Sequence, residues 1–384
     1  QWAHPELQLQ LGRVDGDRVV FDIPADPNPS SEVGHRVEDT LGMSFGVRLD
    51  MNKILNLDTD VLGVSIGLGL FVPFGEAFRW NVIGGERLQW PMYLDRNQRM
   101  SILPAFALHI LGVVAVGVGF RTSIDIEANT EFVVTQEEPE AGESAALTGQ
   151  LGNQSRIAGK ISPTFSVLAT PADWIRLGAV VRLPVVSDDW GYTDIDTTRL
   201  PGIGLGSLSY THRFAHYASP LEVAFGVAVA PIPSLLISVD GAYEDWSGYL
   251  DSNHQNYEGS PFRSIVTGRV GAEVTVHPST VVLAGYGYVP SPFDNRGGWT
   301  NFVDNDRHLL SLGGQIDLMK ALCLDRAPVR LGVHTQLQVL REHQEVKDWR
   351  AFRNEAEANA NPGWPGWRSS GWVFNMGVSL DAAF

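Results

Sequence analysis

The chain has 384 residues, a net charge of −16 and 44% hydrophobic residues. So acidic a balance excludes a nucleic-acid binder, whose phosphate partners demand Lys and Arg patches. The single cysteine, Cys323, excludes an intramolecular disulfide and a cysteine-clustered metal site.

No stretch approaches the roughly 18 consecutive apolar residues of a membrane helix. No basic and apolar leader opens the chain at Gln1, so the sequence reads as a mature or trimmed form. What the chain carries instead is period-two alternation, the primary strand signal. Leu7, Leu9 and Leu11 alternate with Gln8 and Gln10. Leu41, Met43, Phe45, Val47 and Leu49 alternate with Gly42, Ser44, Gly46, Arg48 and Asp50. Leu62 to Leu70 repeats the pattern over Gly63, Ser65, Gly67 and Gly69. Ile175, Leu177, Ala179 and Val181 face away from Arg176, Gly178 and Arg182. Leu235, Ile237 and Val239 oppose Leu236, Ser238 and Asp240, and Val266, Val270 and Val274 oppose Thr267, Arg269 and Glu273. Leu331, Val333, Leu337 and Val339 oppose Arg330, His334, Gln336 and Gln338. The chain ends on Trp372 to Phe384, apolar on one face, small or polar on the other, with an aromatic terminus. A strand of this length suits a tilted bilayer crossing, with lipid on one face and a lumen on the other.

The turns fall into two kinds. Short ones carry Pro, Gly, Asp or Asn, at 110–112, 170–173, 231–233 and 277–279. Long polar stretches alternate with them, at 73–100, 126–162, 187–204, 247–261, 291–306 and 342–370. Short turns on one rim and long loops on the other is the asymmetry of outer-membrane barrels. The count is about fourteen strands, all-β, in one antiparallel transmembrane barrel spanning 1–384, with both termini on the short-turn, periplasmic side. A sheet of this extent normally closes.

Five local patterns in chain order then resemble the FadL-type family of outer-membrane long-chain fatty acid transporters. They are Gly69 to Gly75 (GLFVPFG), Ser162 to Gly178 (SPTFSVLATPADWIRLG), Ser238 to Trp246 (SVDGAYEDW), Ala284 to Pro292 (AGYGYVPSP) and Asp304 to Gly313 (DNDRHLLSLG). One feature departs. The family carries an N-terminal hatch with an Asn-Pro-Ala element, whereas Asn28-Pro29-Ser30 here follows the strand at Leu7 to Leu11. The hatch is expected to be absent or to lie upstream of Gln1.

Two sets of residues are the candidate site. Inward-facing Arg48, Arg176, Arg182, Asp240, Arg269, Glu273 and Arg330 carry both signs in a confined space, where charges pair across strands. They form either stiffening ladders or a polar conduit with an Arg holding a carboxylate. The second set is Phe71, Pro73, Phe74, Gly75, Phe78, Trp80 and Trp90, beside the bare inward positions Gly67 and Gly69. From the residues alone this is an aromatic girdle or a strand end. The resemblance implies an apolar groove that captures greasy substrates. Pro73 donates no ladder hydrogen bond, so a gap in the sheet is expected there, an exit sideways into the bilayer.

Catalytic readings are poor. There is no HExxH and no GxSxG, and His212 and His216 lack the adjacent Glu. Asp304-Asn305-Asp306 starts like a calcium loop that no Glu completes. No enzyme activity, cofactor or metal is expected. The expected function is passive passage of hydrophobic, fatty-acid-like small molecules across a bacterial outer membrane. Partners are then the outer-membrane lipid or lipopolysaccharide and the hydrophobic ligand, with no nucleic acid. Two alternatives stay open: a hatch-less polar porin, and a structural barrel docking envelope proteins.

Overall fold

The structure is a computed structural model and describes residues 6–17, 40–55, 61–74, 78–79, 98–136, 147–196, 207–248, 262–293, 303–324, 327–347 and 366–383. Strands β1 (Glu6–Asp17), β2 (Thr40–Asp50) and β3 (Leu62–Phe74) come first, with the four-residue helix α1 (Asn52–Leu55) between β2 and β3. The two-residue strands β4 (Phe78–Arg79) and β5 (Gln98–Arg99) pair with each other ahead of β6 (Ser101–Ile110). Next are β7 (Val114–Gln136), β8 (Leu147–Ala172) and β9 (Ile175–Arg182). β10 (Val185–Asp196) and β11 (Ser207–Ser219) form a separate two-stranded ribbon. The chain continues through β12 (Leu221–Ile232), β13 (Leu235–Asp245), β14 (Ile265–His277), β15 (Thr280–Val289) and β16 (Arg307–Asp317). The helix α2 (Leu318–Ala321), β17 (Val329–Val346) and β18 (Gly366–Ala383) complete it.

From β2 round to β18 the sheet is continuous and antiparallel, and β1 closes it by pairing with both ends. Leu9 stands opposite Leu380 on one side and Phe45 on the other. The closed ring has fourteen strands, the number read from the sequence.

Closure follows from the alternation, because each strand pairs in a register that keeps its apolar residues on one face. Val239 pairs with Val270 and Val270 with Tyr286, while Asp240 pairs with Arg269 and Arg269 with Gly287. A slip of one residue would reverse every side chain, so the two faces lock the register. The apolar face stays open: Val266 is 66% exposed, Leu312 65% and Phe225 57%. A soluble barrel would cover such a band, and a bilayer covers it instead.

The short connections lie at one rim and both chain ends point to it. Leu111 and Gly112 both take positive φ in the β6–β7 turn, the backbone twist that suits a tight hairpin. Asp317 caps α2 by accepting hydrogen bonds from the Met319 and Lys320 amides. At the other rim the strands run farther than the alternation suggests. Within the stretches read as loops, 126–136 pairs with 147–157 as an extension of β7 and β8, and 187–196 belongs to β10, which pairs with β11. Ladder hydrogen bonds suffice to form the β10–β11 ribbon, whereas the β7 extension has its own alternation of Ile124, Ile126, Phe132 and Val134 against Asp125, Glu127, Asn129 and Glu131. Among the described residues, the packed core is off-centre at this rim, around Trp367, Val303, Asn305 and Ser369.

Candidate functional site

Register fixes which candidate residues share a face. Arg48 lies beside Gly67, Gly67 beside Ala105, Ala105 beside Gly119, and Thr164 links that row to Arg182 and Glu222. This small and polar face turns away from the exposed apolar band. From β2 to β12 it is lined mainly by Gly, Ala, Ser and Thr. Gly46 faces Gly69, and Ala107 faces Gly117. A Cβ added at Gly67 would meet the Ala105 Cβ at 3.8 Å, an ordinary contact, whereas one at Gly69 would crowd the Leu103 Cβ at 3.3 Å.

Two of the expected charge ladders form. Arg182 donates to Glu222 on the neighbouring strand, and Arg269 faces Asp240 at 3.6 Å. Arg330 stands in register with both Asp317 and Asp381. Arg176 pairs with Ala228, and Glu273 lies between Leu236 and Leu283, so neither sits in a charged row. The sequence reading passed over an amide network on the same face of β16 to β18. Gln336 Nε2 donates to Ser311, Gln338 and Asn375 donate to Gln336 Oε1, and Gln315 donates to Asp381. The signal was present in the spacing Gln336, Gln338 and Asn375, which alternation alone ranked with the other polar positions.

The aromatic set divides. Phe71 belongs to the small and polar face, in register with Ser44 and Ser101. Pro73 and Phe74 remain in β3, opposite Gly42 and Leu41, so the expected gap does not fall on the β2 side. The β2–β3 register runs through Pro73 without a shift. The β6 register ends at Phe71 and Ser101, which leaves Val72 to Phe74 beyond it. Phe78 lies in β4, while Gly75, Trp80 and Trp90 lie outside the described residues, as does the Asn28–Ser30 element.

A second proline, Pro104, marks an interruption the sequence reading missed. Between β6 and β7 the pairing runs Ser101–Ser123 and Ile102–Thr122, then resumes at Ala105–Gly119 with the same register. Pro104 has no amide to donate, and a proline inside a run of Leu, Ala and Phe was the available signal. The Thr122 hydroxyl bonds the Ile102 carbonyl at 2.9 Å beside the break.

At the long-loop rim Asn305 ties three strand ends together. Its Nδ2 donates to the Arg341 carbonyl at 2.8 Å, the Ser369 carbonyl at 3.0 Å and the Ser369 Oγ at 2.8 Å. Beside it, burial pushes the Asp304 carboxyl above its ordinary range. Burial likewise lowers the Lys347 amine to about 8. Among the described residues no group of three or more His, Cys, Asp or Glu is placed to hold a metal ion.

A closed antiparallel barrel with an exposed apolar band, long loops on one rim and short turns on the other defines the outer-membrane barrel class. Within it, the chain has the FadL-type fold. A Pseudomonas aeruginosa FadL homologue matches at TM-score 0.57 and 14% identity, covering 100% of this chain and 90% of that one. The toluene transporter TodX of Pseudomonas putida matches at TM-score 0.56 and 12% identity, covering 99% and 90%. A deletion mutant of TodX, described as a monoaromatic hydrocarbon channel, matches at TM-score 0.54 and 12% identity, covering 100% and 91%. The sequence matches no protein-family model and no curated protein.

Proposed function

We propose that this chain is a passive outer-membrane channel for hydrophobic small molecules and has no enzymatic role. The whole of 1–384 acts as one barrel unit. The exposed aliphatic band faces lipid and the small and polar face lines the lumen. The long loops reach the cell exterior and both termini the periplasm. The observation that carries the reading is the lumen wall from β2 to β12, where Gly, Ala, Ser and Thr predominate although it faces a closed space. A wall of Gly and Ala lets an apolar solute slide past without a specific pocket to escape from. The fold likeness to a protein described as a toluene transporter points to the same solute class, fatty-acid-like or aromatic.

Exit is sideways, past Phe71, Pro73, Phe74 and Gly75, where β6 pairing with β3 stops, and the interruption at Pro104 weakens the adjoining ladder. Apolar solutes gain roughly 25 cal/mol per Å² on leaving water, so delivery through the wall into hydrocarbon keeps a gain that passage through the periplasm would forfeit. Phe78, Trp80 and Trp90 form the external capture surface, and Arg48, Arg176, Arg182, Asp240, Arg269, Glu273 and Arg330 supply polar positions along the lumen wall.

Uptake of radiolabelled oleate and toluene by cells lacking their own hydrophobic channels, with and without this protein, tests the reading. Saturable protein-dependent uptake of either supports it. A large, steady single-channel conductance without such uptake would instead identify an open polar porin. Recovery only in a stoichiometric envelope complex, with no uptake, would identify a structural barrel.

A further inference from the structure

β9 pairs directly with β12, and between them the chain leaves the wall as the β10–β11 ribbon. Its root is pinned to β8. The Leu183 amide donates to the Pro163 carbonyl at 3.0 Å, and the Ser162 hydroxyl donates to the Leu183 carbonyl. A hairpin inserted here can lean outward over lipid, rise straight from the rim, or fold inward over the lumen. Arg121 decides between these courses. It lies on β7 two residues from Gly119, so its side chain belongs to the lumen face. From there its Nη2 donates at 2.5 Å to the hydroxyl of Ser219, the last residue of β11.

In barrel order β8 and β9 separate β7 from β12, a gap of roughly 14 Å at the usual spacing of strands. An arginine side chain does not span that gap along the sheet. The foot of the ribbon is therefore displaced inward from the line of β12, toward the lumen face of β7. β10 follows the same course, lying against β7 and more lightly against β8. A ribbon rising straight above β9 and β12 would miss β7, and one leaning outward would be out of reach of a guanidinium on the lumen face. The opposite side of this mouth is already filled. Thr267, Leu340 and Val373 occupy lumen-facing positions of β14, β17 and β18, and all three are buried.

We propose that the β10–β11 ribbon is an internal strap, latched by Arg121 to Ser219, that narrows the long-loop mouth and sets the largest solute the barrel admits. Packed side chains hold one side of the mouth, and the strap crosses from β9 toward β7 on the other. The lane left between them runs along β2, β3 and β6, over Gly46, Gly67 and Gly69. Slender or flat solutes pass, and bulky ones stop. The strap's use as a size filter rests on the channel reading, whereas its position is independent of whether the solute is apolar.

The test measures the size limit directly. Cys323→Ser removes the exposed native thiol, and Ala105→Cys places a single new one on the lumen wall. Maleimides carrying polyethylene glycol of increasing mass are added to whole cells. With the strap in place, small reagents should label and those above a limit should not. Replacing 187–217 by a Gly-Ser turn should raise both the admitted mass and the single-channel conductance severalfold. Arg121→Leu and Ser219→Ala should each raise them by less, and the double variant by no more than the larger single effect. These two variants carry the test if the shortened chain does not assemble, which heat-modifiable gel migration reports. Absence of a size limit with the strap in place, or labelling and conductance unchanged in the assembled variants, overturns the strap. A limit that the variants lift, with no uptake of oleate or toluene, keeps the strap and removes the hydrophobic-channel reading instead.

Discussion

The two halves of the small and polar face are built on opposite principles. From β2 to β12 it is mainly Gly, Ala, Ser and Thr, as in the rows Gly46 with Gly69 and Ala107 with Gly117, with Arg48, Phe71, Arg182 and Glu222 set among them. From β16 to β18 it is amide and carboxyl, with Gln336 receiving from Gln338 and Asn375 while donating to Ser311. One wall leaves space and the other fills it with mutually satisfied polar groups. A network of this kind holds its side chains in fixed rotamers and is rigid where complete. The bare wall offers a solute nothing to break before it slides past. Under the proposed function, the contrast divides the lumen wall into a side with room for a solute and a stiff, polar side.

Bulk placed on the two walls should break this contrast most directly. Gly67→Trp should remove most of the uptake of an apolar probe while assembly survives, since its Cβ meets only ordinary contacts. Gln336→Trp, on the opposite wall, should leave that uptake largely intact. Equal losses in the two assembled variants would show that solutes do not follow the bare wall.

Next in size is a pH effect at the stiff wall's outer end. Lys347 is 4% exposed, and burial, opposed by Glu345, lowers its amine from 10.5 to about 8. Between those values the unfolded chain holds the extra proton, so stability should rise with pH from 8 to 10.5. Urea unfolding in micelles at pH 7, 8, 9 and 10 should show the increase, and Lys347→Met should flatten it. A wild-type midpoint that stays level across the window would mean that the amine remains hydrated.

Asn305→Ala comes third. It strands the buried Ser369 hydroxyl and the two carbonyls that Asn305 now satisfies. Leaving such groups unpaired costs on the order of 1–3 kcal/mol, which should appear as a lower urea midpoint. Transport of the apolar probe should not change, because the tie lies away from the bare wall.

Alternation made the strands and their faces legible, because both depend on residues two apart. Val239 and Asp240 fall on opposite faces as read, and so do Val270 and Arg269. The even strand number followed from counting turns. Three things were not read. The β10–β11 ribbon carries polar residues on both faces, whereas the β7 extension was passed over although Ile124, Ile126, Phe132 and Val134 alternate with Asp125, Glu127, Asn129 and Glu131. Proline in the sequence says that one hydrogen bond is missing but not toward which neighbour, so Pro73 was placed at a gap its β2 ladder does not have. At the long-loop rim Arg263, Asp304 and Arg341 line one cavity, although the first two lie in separate connections, the third lies in β17, and they have no spacing in common. Pockets made by loops from different hairpins are tertiary in origin, and only the register that aligns the hairpins brings them together.

The smallest effect concerns an ion pair within the first region. Arg182 and Glu222 pair across β9 and β12, with side chains 40% and 29% exposed. In a water-filled lumen such a pair behaves like a surface one, because solvent screens the attraction and the long side chains lose entropy in meeting. A double-mutant cycle with Arg182→Gln and Glu222→Gln should therefore give a coupling below about 1 kcal/mol. Single substitutions should shift the urea midpoint little and leave uptake unchanged. A much larger coupling would mean that water is excluded around the pair, since removing one partner of a desolvated pair leaves a buried charge costing several kcal/mol, about 3–5. The lumen would then be plugged at this level by a segment outside the described residues. The coupling energy thus measures directly whether the charged rows line an open conduit.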